Sequence, residues 1–362
     1  VAKKMQLNKM NWLYSKWWKW LSVILLLYVV IGSYMVPLSP GISKIGPLSF
    51  SPDSIYTFTI SGYHTHFKDP GVGKIQFWFK SGNDYFQAKD LHILSGNTAE
   101  VKFGIGSNKQ DSLQSQSFDV VGNDDIDGTF ALRDGITLIK ASKVDSSSTV
   151  TATTGPVEVV HNKRQFLAFP YREILYESIR NTFFHVPMWF VMTALVFFSL
   201  VCSVIYLAKS NPLYDVLAHQ AIVAALLFGI CGLATGMVWA KNTWGHYWVN
   251  DPKLNGAAVG VMIYFAYLVL RGSITDEIKR ARIAAAYNIF SIVIFALFIY
   301  IIPRLTDSLH PGNGGNPAFS KYDLDSSLRM FFYPASIGWI LLGFWIFSIL
   351  VRMQLIKQKQ EL

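Results

Sequence analysis

Two histidines and one aromatic loop carry the most distinctive chemistry in this sequence. His185 opens an apolar run, two residues before Pro187. His310 stands in Thr306-Asp307-Ser308-Leu309-His310-Pro311-Gly312, shortly after another apolar run. Between them in sequence lies Thr243-Trp244-Gly245-His246-Tyr247-Trp248-Val249-Asn250-Asp251-Pro252-Lys253-Leu254. A neutral imidazole ligates transition metals and exchanges protons near neutral pH. Trp244, Tyr247, Trp248 and Asp251 have the spacing i, i+3, i+4, i+7. Wound as a helix they would share one face, with His246 and Lys253 turned away. Such a face could be a shelf for a large planar ligand. The same residues could equally form an aromatic belt at a membrane surface. Asp251-Pro252 also reads as a helix N-cap followed by proline at the first helical position, a role that needs no ligand.

Other chemistries find little support. No histidine has a nucleophile partner at a recognisable spacing, and no GxxxxGK[ST] phosphate loop occurs, so any ATP hydrolysis belongs to a partner. The two cysteines, Cys202 and Cys231, have neither CxxC nor CxxCH spacing and read as small buried hydrophobes.

The elements that must position these residues are membrane spans. Of the 362 residues, 51% are hydrophobic, which few soluble domains reach. The formal charge of +9 then records orientation rather than nucleic-acid binding. Lys3, Lys4, Lys9, Lys16 and Lys19 with Trp17, Trp18 and Trp20 precede the run Leu21–Val36. This pattern predicts a first span with a cytoplasmic N-terminus, an anchor rather than a cleaved signal peptide. Further spans are predicted at His185–Leu207, Val216–Ala240, Leu254–Leu270, Ile283–Ile302 and Met330–Val351. With the N-terminus inside, Arg271–Arg282 and the basic tail also lie in the cytoplasm. His185, the aromatic loop and His310 then meet at the outer face.

Between the first two spans the pattern changes to short alternating segments. These are Ile55–Ile60, Lys74–Phe79, Ala99–Ile105, Gly128–Leu132, Ile136–Lys140 and Thr149–Ala152, with turn signals at Asp127-Gly128 and Asp134-Gly135. His64 and His66 would lie on one strand face and could bind a metal, although a solvated pair is the simpler reading. The predicted architecture is an α-helical integral membrane protein of six transmembrane helices. An extracytoplasmic all-β, sandwich-like domain is inserted between helices 1 and 2. Residues 1–36 form the cytoplasmic N-terminus and helix 1, 37–181 the β domain, and 182–362 the five-helix domain that carries the loop 243–254.

Two imidazoles flanking an aromatic shelf fit haem, whose iron takes axial nitrogen ligands on both faces. Lys253, Lys241 and Arg329 are the cations nearest by topology for its propionates. An interfacial belt with two interfacial histidines remains the alternative. His219, near the other end of its span, could be a further ligand or a helix-packing histidine.

Trp244-Gly245-His246-Tyr247-Trp248-Val249-Asn250-Asp251-Pro252-Lys253 resembles the W-G-x-x-W-x-W-D ("WWD") signature of the CcmC, CcmF and CcsA proteins of cytochrome c maturation. The six spans, with His185-Val186-Pro187 opening the second and Leu309-His310-Pro311 after the fifth, are most similar to CcmC. Gly236-Met237-Val238-Trp239-Ala240-Lys241 also fits, and the Asp-Pro-Lys ending is closer to CcsA. Asn250 replaces the third tryptophan, Tyr247 fills a slot often held by tryptophan, and the β domain is foreign to compact CcmC proteins.

The resemblance implies an inner-membrane haem delivery protein rather than a catalyst. It would hold non-covalent haem b at the outer leaflet, with His185 and His310 as axial ligands to the metal. Trp244, Tyr247, Trp248 and Asp251 would face the haem and Lys253 a propionate. Implied partners are a CcmE-like chaperone, a CcmD-like subunit and the CcmAB ABC transporter, alongside membrane lipid. Two other readings stay open. One is a CcsA-type module ligating haem to CxxCH peptides of apocytochrome c. The other is a permease or anchor without haem. Because a Gly-rich segment follows His310, that histidine is expected to swing away on release, with His185 the firmer ligand.

Overall fold

Six helices are long and apolar enough to cross a membrane; five contain the whole of a span predicted from the sequence, and the first ends at Met35, one residue short of the predicted Val36. The computed structural model describes residues 14–69, 75–106, 116–139, 167–310 and 324–360. The chain divides into two units, Val1–Met35 with Ser178–Leu362 and Val36–Glu177.

The helical unit contains α1 (Trp17–Met35), α2 (Thr182–Lys209), α3 (Pro212–Trp244), α4 (Pro252–Gly272), α5 (Glu277–Ala296), α6 (Ile302–Leu305) and α7 (Ser326–Gln360). Side-chain caps fix several starts. Asn211 Oδ1 accepts from the Leu213 N–H ahead of α3, and Asp276 Oδ1 from the Lys279 N–H ahead of α5. Pro212 and Pro252 occupy first turns, where a missing N–H costs nothing. Between α5 and α6 the helix widens into a π-turn, Leu297–Ile301. Pro303 lies just beyond it and cannot donate the next hydrogen bond, and widening the turn relieves that conflict.

Helices consecutive in the chain run antiparallel through close small-residue contacts. Gly232 lies under Trp189 and Gly229 under Met192, while Ser199 Oγ donates to the Ala218 carbonyl at 2.8 Å. Gly256 of α4 packs against the Phe298 carbonyl, leaving no room for a Cβ. Asn288 reaches Ser199 at 2.8 Å and Ser203 at 2.9 Å, so buried polar side chains also join α5 to α2. Outward faces remain apolar, with Phe197, Val204, Met262, Phe265, Phe290 and Val293 exposed, as suits lipid contact. Cys202 is buried as expected, whereas Cys231 is exposed.

This alternation collects the two ends of the bundle. One end holds the start of α2, the end of α3, the start of α4, the residues after α6 and the start of α7. The opposite end carries Lys16, Lys19, Lys209, Arg271, Lys279, Arg280, Arg282, Arg352, Lys357 and Lys359. There Arg271 clasps Asp215 through two bonds of 2.7 and 2.6 Å, tying the end of α4 to the start of α3.

The second unit is built of two sheets, inserted between α1 and α2. Its strands are β1 (Gly41–Gly46), β2 (Ser49–Phe50), β3 (Tyr56–Tyr63), β4 (Gln76–Ser81), β5 (Asp84–Gln87), β6 (Lys89–Ser95), β7 (Thr98–Phe103), β8 (Ser117–Asp124) and β9 (Gly128–Leu138). One sheet has the order β1-β3-β7-β6 and the other β2-β9-β8-β4-β5. Alternate residues of both sheets point into one core. Phe58 and Phe103 of the first sheet meet Phe79 and Phe118 of the second, and the Phe79 and Phe103 rings stack at 4.0 Å.

Two sequence expectations change here. Asp134-Gly135 does not close a hairpin, because β9 runs straight through it. Asp134 takes a left-handed φ of 50° as a bulge, held by Ser117 Oγ at 2.6 Å and by its own N–H to Asp119 Oδ1 at 3.0 Å. His64 and His66 do not share a strand face. β3 ends at Tyr63, and His64 has φ 52° and stacks on the Tyr63 ring. The segment Thr149–Ala152 lies outside the described residues.

Candidate functional site

The last turns of α3 form the wall against which both histidines lie. Thr235 is the first contact. Its hydroxyl lies 2.8 Å from the Cys231 carbonyl, which takes its only proton, and 3.1 Å from Nδ1 of His185. With the hydroxyl proton on a backbone carbonyl, the oxygen accepts from the His185 tautomer that carries its proton on Nδ1. The same hydroxyl lies 3.1 Å from the Gly232 carbonyl. Gly236 is the second contact, since a Cβ there would stand 2.8 Å from His185 Cε1. Glycine is the residue that lets the imidazole lie flat on the helix.

One turn beyond Thr235, Trp239 begins the wall at His310. The rings of Trp239 and His310 are 5.6 Å apart, those of Trp244 and His310 4.9 Å, and those of the two tryptophans 5.0 Å. A helical turn rises ~5.4 Å, so the histidines occupy successive levels of one helix face. They are also close enough to interact electrostatically.

Asp251 organises the other side. Its Oδ1 accepts from the N–H groups of Lys253 at 2.9 Å and Leu254 at 3.3 Å, so the expected N-cap of α4 forms. The same oxygen lies 3.0 Å from His310 Nδ1, and Oδ2 accepts from the Leu309 N–H at 2.7 Å. Burial pushes the Asp251 carboxyl up. Hydrogen bonds from His310, Ser308 and the Leu309 N–H outweigh that effect and hold it below the usual carboxylate range. An ionised carboxylate only accepts, so His310 Nδ1 donates, and in the neutral ring Nε2 carries the lone pair. The Asp251 side chain is 1% exposed and that of His310 16%, so the ring still reaches the surface of the site.

The loop itself is not helical. Gly245 at φ 82° ends α3, the chain bends over residues 245–247, and the Asp251 N–H turns back to the Val249 carbonyl at 2.9 Å before the cap. The anticipated single face of Trp244, Tyr247, Trp248 and Asp251 is therefore absent. Trp244 instead belongs to α3 and faces His310. Tyr247 and Trp248 are exposed. The Lys241 ammonium sits 5.7 Å over the Tyr247 ring and bonds the Gly245 carbonyl at 2.7 Å. Trp248 donates to Asn255 Oδ1 at 3.3 Å, and Asn255 donates in turn to Asn250 Oδ1 at 2.8 Å. Asn250, which stands where the signature has tryptophan, thus braces the loop by a polar link. Lys253 occupies the first turn of α4. Arg329, in the first turn of α7 at the same end, has a buried Nε with no hydrogen-bond partner among the described residues.

The structure thus brings His310, Asp251 and Trp244 into contact and sets His185 one turn away along α3, with Tyr247 and Trp248 on an open rim. Thr235, Gly236 and Trp239 escaped the sequence reading as site residues. Thr235 and Trp239 are four apart, a spacing that marks them as one helix face. His219 lies near the opposite end of α3. Its Nδ1 is buried with no partner among the described residues, and its ring is 6.1 Å from Tyr267.

Residues 152–362 match the family model of CcmC, heme exporter protein C. Among curated relatives, the chain is 27% identical to heme exporter protein C of Haemophilus influenzae over 148 residues, 39% of this chain and 58% of that protein. It is 28% identical to heme exporter protein C of Bradyrhizobium diazoefficiens over 119 residues, 31% of this chain and 43% of that protein. It is 39% identical to the cytochrome c biogenesis protein CcsA of Prochlorococcus marinus over 87 residues, 24% of this chain and 27% of that protein. The matches therefore span from about a quarter to somewhat over half of these relatives' lengths. With more than half of its residues matched by the family model and six membrane-length helices around the two histidines, this multi-pass membrane protein belongs to the CcmC family.

Proposed function

We propose that this protein binds haem at the histidine end of its helix bundle and hands it on for cytochrome c maturation. The observation that carries the reading is the pair of imidazoles on one face of α3. Each has its Nδ1 engaged, by Thr235 and by Asp251, which leaves Nε2 as the ligand atom. His185 and His310 are the axial ligands. Trp239 and Trp244 form an apolar wall beside His310, while Tyr247 and Trp248 supply aromatic edges on the rim. Arg329, Lys241 and Lys253 are the cations placed to receive propionates. Haem b would be cargo, held without a covalent bond.

The basic end of the bundle supports an inside orientation for that end and an extracytoplasmic position for the site. Membership in the CcmC family supports the inner membrane as the location. It also supports a CcmE-like chaperone, a CcmD-like subunit and the CcmAB transporter as partners. Release needs one axial bond to break. The clamp on His310 opposes the expectation that this ring swings freely, so disturbance of Asp251 or Ser308 by a partner is the step that would loosen it.

The test is an absorption spectrum of detergent-purified protein expressed with ample haem. A Soret band should appear, and His185→Ala and His310→Ala should each weaken it. Unchanged haem content in both variants would overturn the ligand assignment, and a wild type without haem would favour a permease or anchor. The match to CcsA supports a second reading, direct ligation of haem to apocytochrome c. Crosslinking to a CxxCH peptide rather than to a haem chaperone would select it.

A further inference from the structure

The β unit contains a second imidazole gripped in the same way as His310. His66 follows the end of β3, and its Nδ1 lies 2.7 Å from Asp127 Oδ1. The other carboxylate oxygen, Oδ2, accepts from the His66 main-chain N–H at 2.7 Å. Asp127 is placed by the β8–β9 turn, where Asp124 Oδ1 accepts from the N–H groups of Ile126 at 2.8 Å and Asp127 at 2.7 Å. The Asp127 side chain is 1% exposed and that of His66 42%. At His310 one oxygen of Asp251 likewise meets Nδ1 and the other takes a neighbouring main-chain N–H.

The main-chain bond alone would tie the turn after β3 to the β8–β9 hairpin. The bond to Nδ1 adds something else. It orients the ring, and in the neutral tautomer that donates through Nδ1 it leaves Nε2, on the exposed side, as an electron-pair donor. The surroundings then narrow the ligand. Among the described residues no group of three His, Cys, Asp or Glu side chains could hold a bare metal ion. A single imidazole suffices when the metal arrives with its own equatorial nitrogens, as iron does in a porphyrin.

We propose that His66 Nε2 is an axial ligand for haem iron in the β unit, separate from His185 and His310, with Asp127 as its positioning residue. The inference rests on the haem-handling reading above. It gives the inserted unit a task of its own, an exposed landing point for the same cargo.

The experiment is a ferric haem titration of the full-length protein in detergent, in wild type and in the His185→Ala/His310→Ala double variant. The double variant should keep a weaker histidine-ligated Soret band, which His66→Ala removes and Asp127→Asn weakens about tenfold. His64→Ala should leave it unchanged. In the wild-type background His66→Ala should lower the haem bound per chain at saturation while the tight component persists. Should His66→Ala melt early, His66→Gln keeps a polar side chain toward Asp127 without an imidazole and carries the same expectations. Residual binding that is indifferent to His66, or absent from the double variant while wild type binds tightly, would overturn the proposal and leave the helical site standing. A wild type that takes up no haem would overturn both.

Discussion

Asp251 and His310 are joined at 3.0 Å through Oδ1 and Nδ1, and the carboxylate that makes this bond also starts helix α4. One side chain therefore couples the position of a proposed ligand to the position of a membrane helix. Asp251→Ala should cost about 1 kcal/mol through the lost cap and weaken haem binding roughly 10–100-fold through the lost partner of His310. Asp251→Asn places an amide donor against the N–H donors it should accept from. It should retain less haem than wild type while the helical content stays near wild type. Haem titration beside circular dichroism checks both, and wild-type affinity in Asp251→Asn would show that the bond to His310 has no part in binding.

Thr235 plays the corresponding part for His185. Thr235→Val keeps the shape and removes the acceptor, so the Nδ1 proton loses its fixed partner. A loss of about tenfold in haem affinity is expected, with Thr235→Ser restoring most of it. Equal affinities in the valine and serine variants would assign the hydroxyl to the Cys231 carbonyl alone.

Gly236 separates local from site effects. Alanine favours a helix interior over glycine by about 1 kcal/mol, so Gly236→Ala should not lower helix stability on its own account. Its Cβ would nevertheless stand 2.8 Å from His185 Cε1 and displace the ring. The expected result is a normally folded protein with an altered Soret position or reduced haem content. An unchanged spectrum would mean that His185 can shift without consequence for binding.

In the β unit, burial raises the Asp124 carboxyl above the ordinary carboxylate range, against hydrogen bonds from the N–H groups of Asp127 and Ile126 that lower it. A raised folded value means the folded state holds its proton more tightly than the unfolded chain. Stability then falls as pH rises from the unfolded value through the folded one. Asp124→Asn keeps an oxygen for the Ile126 and Asp127 N–H groups and removes the buried charge. It should raise the melting temperature by a few degrees at neutral pH. The gain should shrink on acidification toward the ordinary carboxylate range. Thermal melts at neutral and acidic pH decide, and a gain that grows on acidification would contradict the assignment.

The spans were legible because hydrophobic length is a property of the chain alone, and each predicted run coincides with an observed helix, the first overrunning it by one residue at Val36. Helix ends were less so. The run read as Leu254–Leu270 starts at Pro252, where the cap at Asp251 sets the boundary, and α3 continues to Trp244 until Gly245 takes a left-handed φ. Strands were legible where residues alternate, as in β3, β4 and β7. Asp134-Gly135 misled because the same residue types serve a turn and a bulge, and only pairing with β8 distinguishes them.

The sequence by itself determined the membrane class, the inserted β unit, and the residue types that could hold haem. Local pattern suffices for these, since burying apolar runs and alternating faces depends little on which partner is met. Tertiary structure decided the partners. Asp251 and His310 are 59 residues apart, and Thr235 and His185 50 apart. Nothing in either local stretch names the other. Hydrogen bonds are short and directional, so which side chain orients each imidazole was decided only when the fold brought Asp251 and Thr235 within 3.0 and 3.1 Å of the rings.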